Sequence, residues 1–231
     1  MMKVLIGIPA YSGAISVSTA HSLIHEMAIA PQLGIQLNVM FQPGMSLVHS
    51  VRNLIAHKFL TEYLDHERLA FIDSDVGWKA GSLVALLQHR EHVVAGGCRR
   101  RKDPEDYAIQ FLDEVEQDEK TKLIEIKSIG MAFTSISRHC LQEFRRKTPE
   151  LAYGFEDKTM HGFFQCPIEG GRIVGEDTWF CEKWRSLGGK VFLDPRYWIT
   201  HTDGNRIYGG CVGAWLNKGI AEAESKLQAA E

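Results

Sequence analysis

The chain has little that would mark it as secreted, membrane-spanning or nucleic-acid-binding. It holds five cysteines, an odd number, at Cys98, Cys140, Cys166, Cys181 and Cys211. No two of them stand in a C-x-x-C or other zinc spacing, which argues against a zinc site and a disulfide framework. Scattered reduced thiols point to the cytoplasm. No apolar run approaches the roughly 20 residues that cross a bilayer. The opening stretch, residues 1–9, is too short for a signal peptide and is broken by Gly7 and Pro9, so it reads as a buried strand and leaves the cytoplasm as the expected address. Excess charge of one sign is also missing: 26 Lys+Arg face 29 Asp+Glu, a net of −3. A protein that grips a duplex backbone is usually basic, so no nucleic-acid partner is expected. Repeats and low-complexity tracts are absent, and 7 prolines with 21 glycines exclude a collagen-like or Pro-rich chain.

What is present is an ordinary globular balance, 45% hydrophobic and 24% charged over 231 residues. One large domain fits that length better than two small ones, and such a chain buries enough surface to fold without staples. Apolar runs at 4–8, 35–41, 69–72 and 93–95 read as strands, and residues 16–30, 45–63 and 80–89 carry helical spacing. This alternation predicts an α/β fold, a largely parallel sheet with helices on its faces. Further on, 107–112 and 123–129 are strand-like and flank the acidic run 113–119, which reads as a solvated hairpin tip. A strand at 131–136, a helix from Ser137 to about 146, a helix at 177–187 ended by Gly188-Gly189, and a strand at 190–193 follow. Residues 212–230 form an amphipathic helix with Trp215, Leu216, Ile220 and Leu227 apolar; it offers a face for its own core or for a second chain, so an oligomer is allowed.

Three features carry chemistry. Asp73-Ser74-Asp75 follows directly on the apolar Phe71-Ile72. In extended backbone, residues two apart share a face, so both carboxylates can converge on one cation; a surface turn is the alternative. The carboxyl end of a strand in an open α/β sheet is where ligands bind, and hard oxygen donors favour Mg²⁺ or Mn²⁺. Glu176-Asp177 stands at the start of a helix, where a carboxylate either caps the first turn or serves as a general base. His201 follows Trp198-Ile199-Thr200 and is either a hydrogen-bonded histidine or a metal ligand.

In this order the features resemble the GT-A superfamily of nucleotide-sugar glycosyltransferases, nearest to its compact family 2-like and Anp1-like members. The stretches that carry the resemblance are 6–11, 51–56, 70–76, 129–133, 175–181 and 188–201, which span nearly the whole chain. The resemblance implies a GT-A, Rossmann-like fold with a mostly parallel central sheet flanked by helices and a small antiparallel element. It divides the single domain 1–231 into a nucleotide-binding half (1–105), an acceptor and metal half (106–210) and a C-terminal helix (211–231).

It also implies roles. Pro9, Ala10 and Tyr11 would cradle the nucleoside, and Arg52 and Asn53 would face the nucleotide. Asp73-Ser74-Asp75 matches the DxD element, with Asp75 ligating Mn²⁺ or Mg²⁺ and Asp73 holding ribose or a metal-bound water. Gly130, Met131 and Ala132 would lie beside the donor sugar or acceptor. Asp177 would be the base, Glu176 its support, and His201 the last metal ligand. The stretch after His201, Thr202-Asp203-Gly204, departs from the family, where many members reach His-x-Gly sooner. The implied partners are a nucleoside diphosphate sugar, by frequency a UDP-sugar, and a glycan, lipid-linked or protein acceptor. The implied reaction is inverting transfer.

The basic run Arg99-Arg100-Arg101-Lys102 is either a diphosphate or anionic-acceptor contact or a solvated loop. Residues 157–165, with His161 and Phe163-Phe164, read as an acceptor loop or as core. Two other readings compete: a haloacid-dehalogenase-type phosphatase, which also carries paired Asp after a strand, and a non-catalytic nucleotide-sugar or glycan-binding module on the same scaffold.

Overall fold

The computed structural model describes the backbone of residues 1–228 and the side chains of residues 1–221. In chain order the first half contains β1 (Met2–Ala10), α1 (Val17–Ile29), β2 (Ile35–Pro43), α2 (Val48–Thr61), β3 (Arg68–Ile72), β4 (Val76–Trp78), α3 (Ser82–Leu87), β5 (Val93–Gly96), β6 (Ile109–Phe111) and β7 (Ile124–Ile129). Then come β8 (Phe133–Ser137), α4 (Arg138–Lys147), β9 (Ala152–Phe155), β10 (Lys158–His161), β11 (Ile168–Glu169), β12 (Arg172–Ile173), α5 (Glu176–Ser186), β13 (Val191–Asp194), β14 (Ile199–Asp203), β15 (Arg206–Gly210) and α6 (Val212–Gln228). Within the C-terminal helix, the Leu227 side chain and residues 229–231 lie outside the described residues.

The central sheet has eight strands in the order β2-β1-β3-β8-β5-β13-β7-β6. The chain is therefore α/β, with a sheet that is mixed. β1 runs parallel to β2 and β3, and β5 to β13. β8 is inserted antiparallel between β3 and β5, which a reading by strand–helix alternation does not foresee. β6 and β7 pair antiparallel around the exposed acidic run, as the pattern predicts.

The period of two along each strand divides the core into two layers. Leu5, Leu69 and Phe71 pack under α2, α4 and α5, with Ile55, Phe59, Phe144 and Phe180 in the same cluster. Val4, Ile6, Ile8, Ala70 and Ile72 face the other way, against Leu23 of α1 and Leu83, Leu86 and Leu87 of α3. Strands covered on both sides must be apolar throughout, which explains the unbroken runs at 4–6 and 69–72. Gly7 lets α2 approach β1: a Cβ there would stand 2.5 Å from Ile55 Cγ2.

The aromatic segment after β10 belongs to the core. Phe163 and Phe164 are buried; Phe164 stacks on Phe180 at 4.8 Å and meets Phe71 edge-on at 5.4 Å. Packing therefore accounts for residues 160–164 of the stretch 157–165, while Asp157, Lys158 and Thr159 are exposed. His161 is buried beside Thr148. A second sheet, β15-β14-β4, stands at the end of β3. It places His201 opposite Val76 and, on its other side, opposite Tyr208.

Candidate functional site

The site begins where β3 runs out of partners. Asp73 to Val76 is a turn closed by the Val76 N–H on the Asp73 carbonyl at 3.2 Å. The two carboxylates thus leave the chain from a turn, and the extended-strand expectation is corrected. The turn is fastened from three sides. The Asp73 N–H donates to the Ala132 carbonyl at 3.1 Å, the Ser16 N–H to the Ser74 carbonyl at 2.7 Å, and the Thr202 N–H to the Asp75 carbonyl at 2.8 Å. Ser74 thereby serves the start of α1 through its backbone.

The two aspartates have different partners. Asp73 Oδ1 accepts from Arg52 Nη2 at 2.9 Å. Arg52 is 3% exposed, and its Nη1 is bonded to Glu176 Oε1, so one guanidinium joins the end of β3 to the first turn of α5. Asp75 Oδ2 lies 3.3 Å from Arg101 Nη1 and 3.5 Å from His201 Nε2. Burial pushes the Asp75 carboxyl up, but His201 and Arg101 outweigh it and hold the group below the usual carboxylate range. Burial opposes the charged form of His201, and the Asp75 carboxylate with the Arg99 carbonyl raises its pKa on balance.

Asp177 lies in the first turn of α5, and its Oδ1 accepts the Thr178 N–H at 2.7 Å. Its Oδ2 faces Gly130, where a Cβ would stand 3.5 Å away. A cleft of about 240 Å³ is lined by Arg52, Asp73, Gly130, Met131, Ala132, Glu176, Asp177 and His201, while Asp75 stands beside His201 and outside the lining. Val48, Cys98, Arg99, Arg100, Ala108, Ile109 and Ile129 complete its wall. Of these additions the arginines stood out in sequence as part of a charge run and Ile129 as the start of the stretch 129–133, while Val48, Ala108 and Ile109 carried no signal. Burial pushes the Cys98 thiol far above its ordinary range, so it is a neutral wall residue.

Other expected site residues are placed elsewhere. Asn53, expected toward a nucleotide, turns to the core. Its amide is buried and clamps the Phe164 backbone, donating to the Phe164 carbonyl and accepting the Phe164 N–H, both at 2.9 Å. Adjacent residues on a helix differ by about 100° in direction, so Arg52 and Asn53 serve different neighbours. Arg52 borders the cleft, but both of its terminal nitrogens are engaged with carboxylates. Pro9 and Ala10 end β1, and Tyr11 follows at 67% exposure. Ala10 borders a separate pocket with Gly13, Ile15, Phe41 and Pro43.

Among the described residues no three His, Cys, Asp or Glu side chains are grouped to hold a metal ion. Asp75 and His201 nonetheless suit a divalent cation. The His201 Nδ1–H donates to the Arg99 carbonyl at 2.9 Å, which leaves Nε2 facing Asp75 Oδ2. That is the tautomer and outer partner a metal-ligating histidine requires. Arg101 stands at the same carboxylate.

No protein-family model and no curated protein matches the chain. Among solved structures it is similar to A197 from STIV, with a TM-score of 0.53 and 20% identity over 89% of this chain and 88% of that one. It also aligns, at a TM-score of 0.36 and 10% identity, with a glycosyltransferase involved in the glycosylation of the major capsid of PBCV-1, over 63% of this chain and 68% of that one. The likeness to A197 is one of fold, and the overlap with the second protein is too slight to argue from. No helix among the described residues is long and apolar enough to cross a membrane. The mixed α/β architecture agrees with a GT-A-type fold and places the cleft at the end of β3.

Proposed function

We propose that this chain is a glycosyltransferase that moves a sugar from a nucleoside diphosphate sugar, a UDP-sugar first among candidates, to an acceptor hydroxyl with inversion, assisted by Mn²⁺ or Mg²⁺. One observation carries the reading: a carboxylate in the first turn of α5, Asp177, shares a small cleft with Asp73 of the acidic turn after β3 and with His201. A sugar leaving a diphosphate passes through an oxocarbenium-like state, so the reaction needs a base for the incoming hydroxyl and positive charge near the leaving group.

Asp177 supplies the base. Oδ2 is aimed at the space over Gly130, and Oδ1 is held by the Thr178 N–H, so one oxygen is fixed and the other is free to take a proton. Gly130 keeps that space open to a sugar ring or an acceptor. Met131 and Ala132 form the apolar floor beside it. Glu176 orients the turn that carries Asp177. Asp75 and His201 would hold the cation, which when bound offsets charge on the departing diphosphate. Pro9, Ala10 and Tyr11 would shape the nucleoside end, beside the pocket bordered by Ala10 and Phe41. The acceptor would be a glycan, a lipid-linked sugar or a protein side chain.

The test is release of nucleoside diphosphate from a panel of nucleotide sugars with Mn²⁺. Asp177→Asn should lower kcat about 10²–10⁴-fold while leaving donor affinity, read by calorimetry, nearly intact. Full activity in that variant, or no release from any donor by the unaltered protein, would sink the reading.

A further inference from the structure

We infer that Arg52 is a positioning residue, a buried cation that ties the Asp73 turn to the first turn of α5 and so sets the place of Asp177, and that it does not contact the donor. Its consequence for catalysis rests on the glycosyl-transfer reading; the ionic tie itself does not.

Arg52 lies in the second turn of α2, with its guanidinium 5.9 Å from the centroid of the Phe71 ring. A buried charge is tolerated only when paired. Here it is paired twice, with Asp73 on one terminal nitrogen and Glu176 on the other. The two carboxylates come from elements 103 residues apart, 73 against 176. Burial works against the charge on Arg52, yet Asp73, Glu176 and Asp177 together strengthen it.

At 3% exposure, Arg52 offers little surface to a ligand. Both terminal nitrogens are engaged, and Nε is buried without a partner. A lysine carries the same charge at one point and cannot span two carboxylates that the planar fork joins. Glu176 is the first residue of α5 and Asp177 the second. Holding Glu176 therefore holds the turn from which the base projects. The same tie takes up Asp73 Oδ1, whereas Asp75 and His201 stand outside it.

The experiment compares the full chain with R52K, R52Q and R52A. Both R52K and R52Q should lower kcat about 10²–10³-fold, with the donor KM within about threefold of the unaltered protein. Mn²⁺ binding in the presence of UDP, followed by electron paramagnetic resonance, should stay the same or tighten in R52Q, since Asp73 is released. Millimolar guanidinium should raise the Tm of R52A and return part of its kcat, while lowering the Tm of the unaltered protein. An R52K variant equal to the unaltered protein would overturn the proposal, as would a donor KM raised about tenfold or more with kcat kept. If the unaltered protein releases no diphosphate from any donor, the glycosyl-transfer reading fails, and the guanidinium response of R52A still decides the tie. Should R52A not fold, D73N, E176Q and the double variant decide it: Tm losses coupled through Arg52 will not add, and strict additivity would overturn the tie.

Discussion

At the scale of single residues, the helix α2 shows how far neighbours in sequence can diverge. Arg52 turns toward two carboxylates and Asn53 toward one backbone. The Asn53 amide saturates the Phe164 N–H and carbonyl within the core, where either group left alone would be costly. Asn53→Ala should therefore destabilise the chain by about 2–4 kcal/mol, read as a lower urea midpoint. A loss under about 0.5 kcal/mol would mean that the Phe164 backbone finds other partners. The pair Arg52-Asn53 was legible as a functional dipeptide only by resemblance, because nothing in the residue types says which carboxylate or backbone each will meet.

At the scale of elements, caps and close approaches set the ends of the helices. Ser137 accepts the Cys140 N–H at 3.1 Å and starts α4, as its residue type predicts. The buried Glu26 of α1 accepts from Trp78 Nε1 at 3.0 Å and from the N–H groups of Leu83 and Val84, which caps α3 from a distance no local pattern reveals. The exit of α5 is set by Gly188, at φ 90, and by Gly189, where a Cβ would stand 2.1 Å from the Trp184 ring. Trp184 is buried and donates Nε1 to the Lys190 carbonyl at 3.2 Å, so the ring has no cheap way to yield. Gly189→Ala should cost about 1–3 kcal/mol by overpacking, seen as a fall in Tm. An unchanged Tm would show that the turn before β13 relaxes freely.

At the scale of the whole molecule, stability should depend on a buried imidazole, that of His161. Thr148 Oγ1 donates to the Phe144 carbonyl at 2.7 Å, so toward His161 it can only accept. His161 thus carries a proton on Nε2, with Phe144 and Phe163 as ring neighbours. Burial, with a smaller contribution from Arg145, lowers its pKa from 6.5 to about 4. The unfolded chain takes up this proton first as pH falls, so the contribution is complete above 6.5 and is lost on descending toward 4. Melting curves across that window should fall more steeply for the unaltered protein than for His161→Gln. Parallel curves would remove His161 as the cause.

The sequence by itself determined the alternation of strands and helices, because strands covered on both faces must be apolar and helices need a stripe. It also determined that an acidic pair follows Phe71-Ile72 and that α5 starts on carboxylates, since charge and residue type at those positions are read directly, while the turn that carries Asp73 and Asp75 stayed open. Only the tertiary structure decided that β8 enters between β3 and β5, that β14 sets His201 beside Asp75, and that Asp73 pairs with Arg52 while Asp75 does not. Those choices depend on strand register and on contacts between residues far apart in the chain, which local periodicity does not encode.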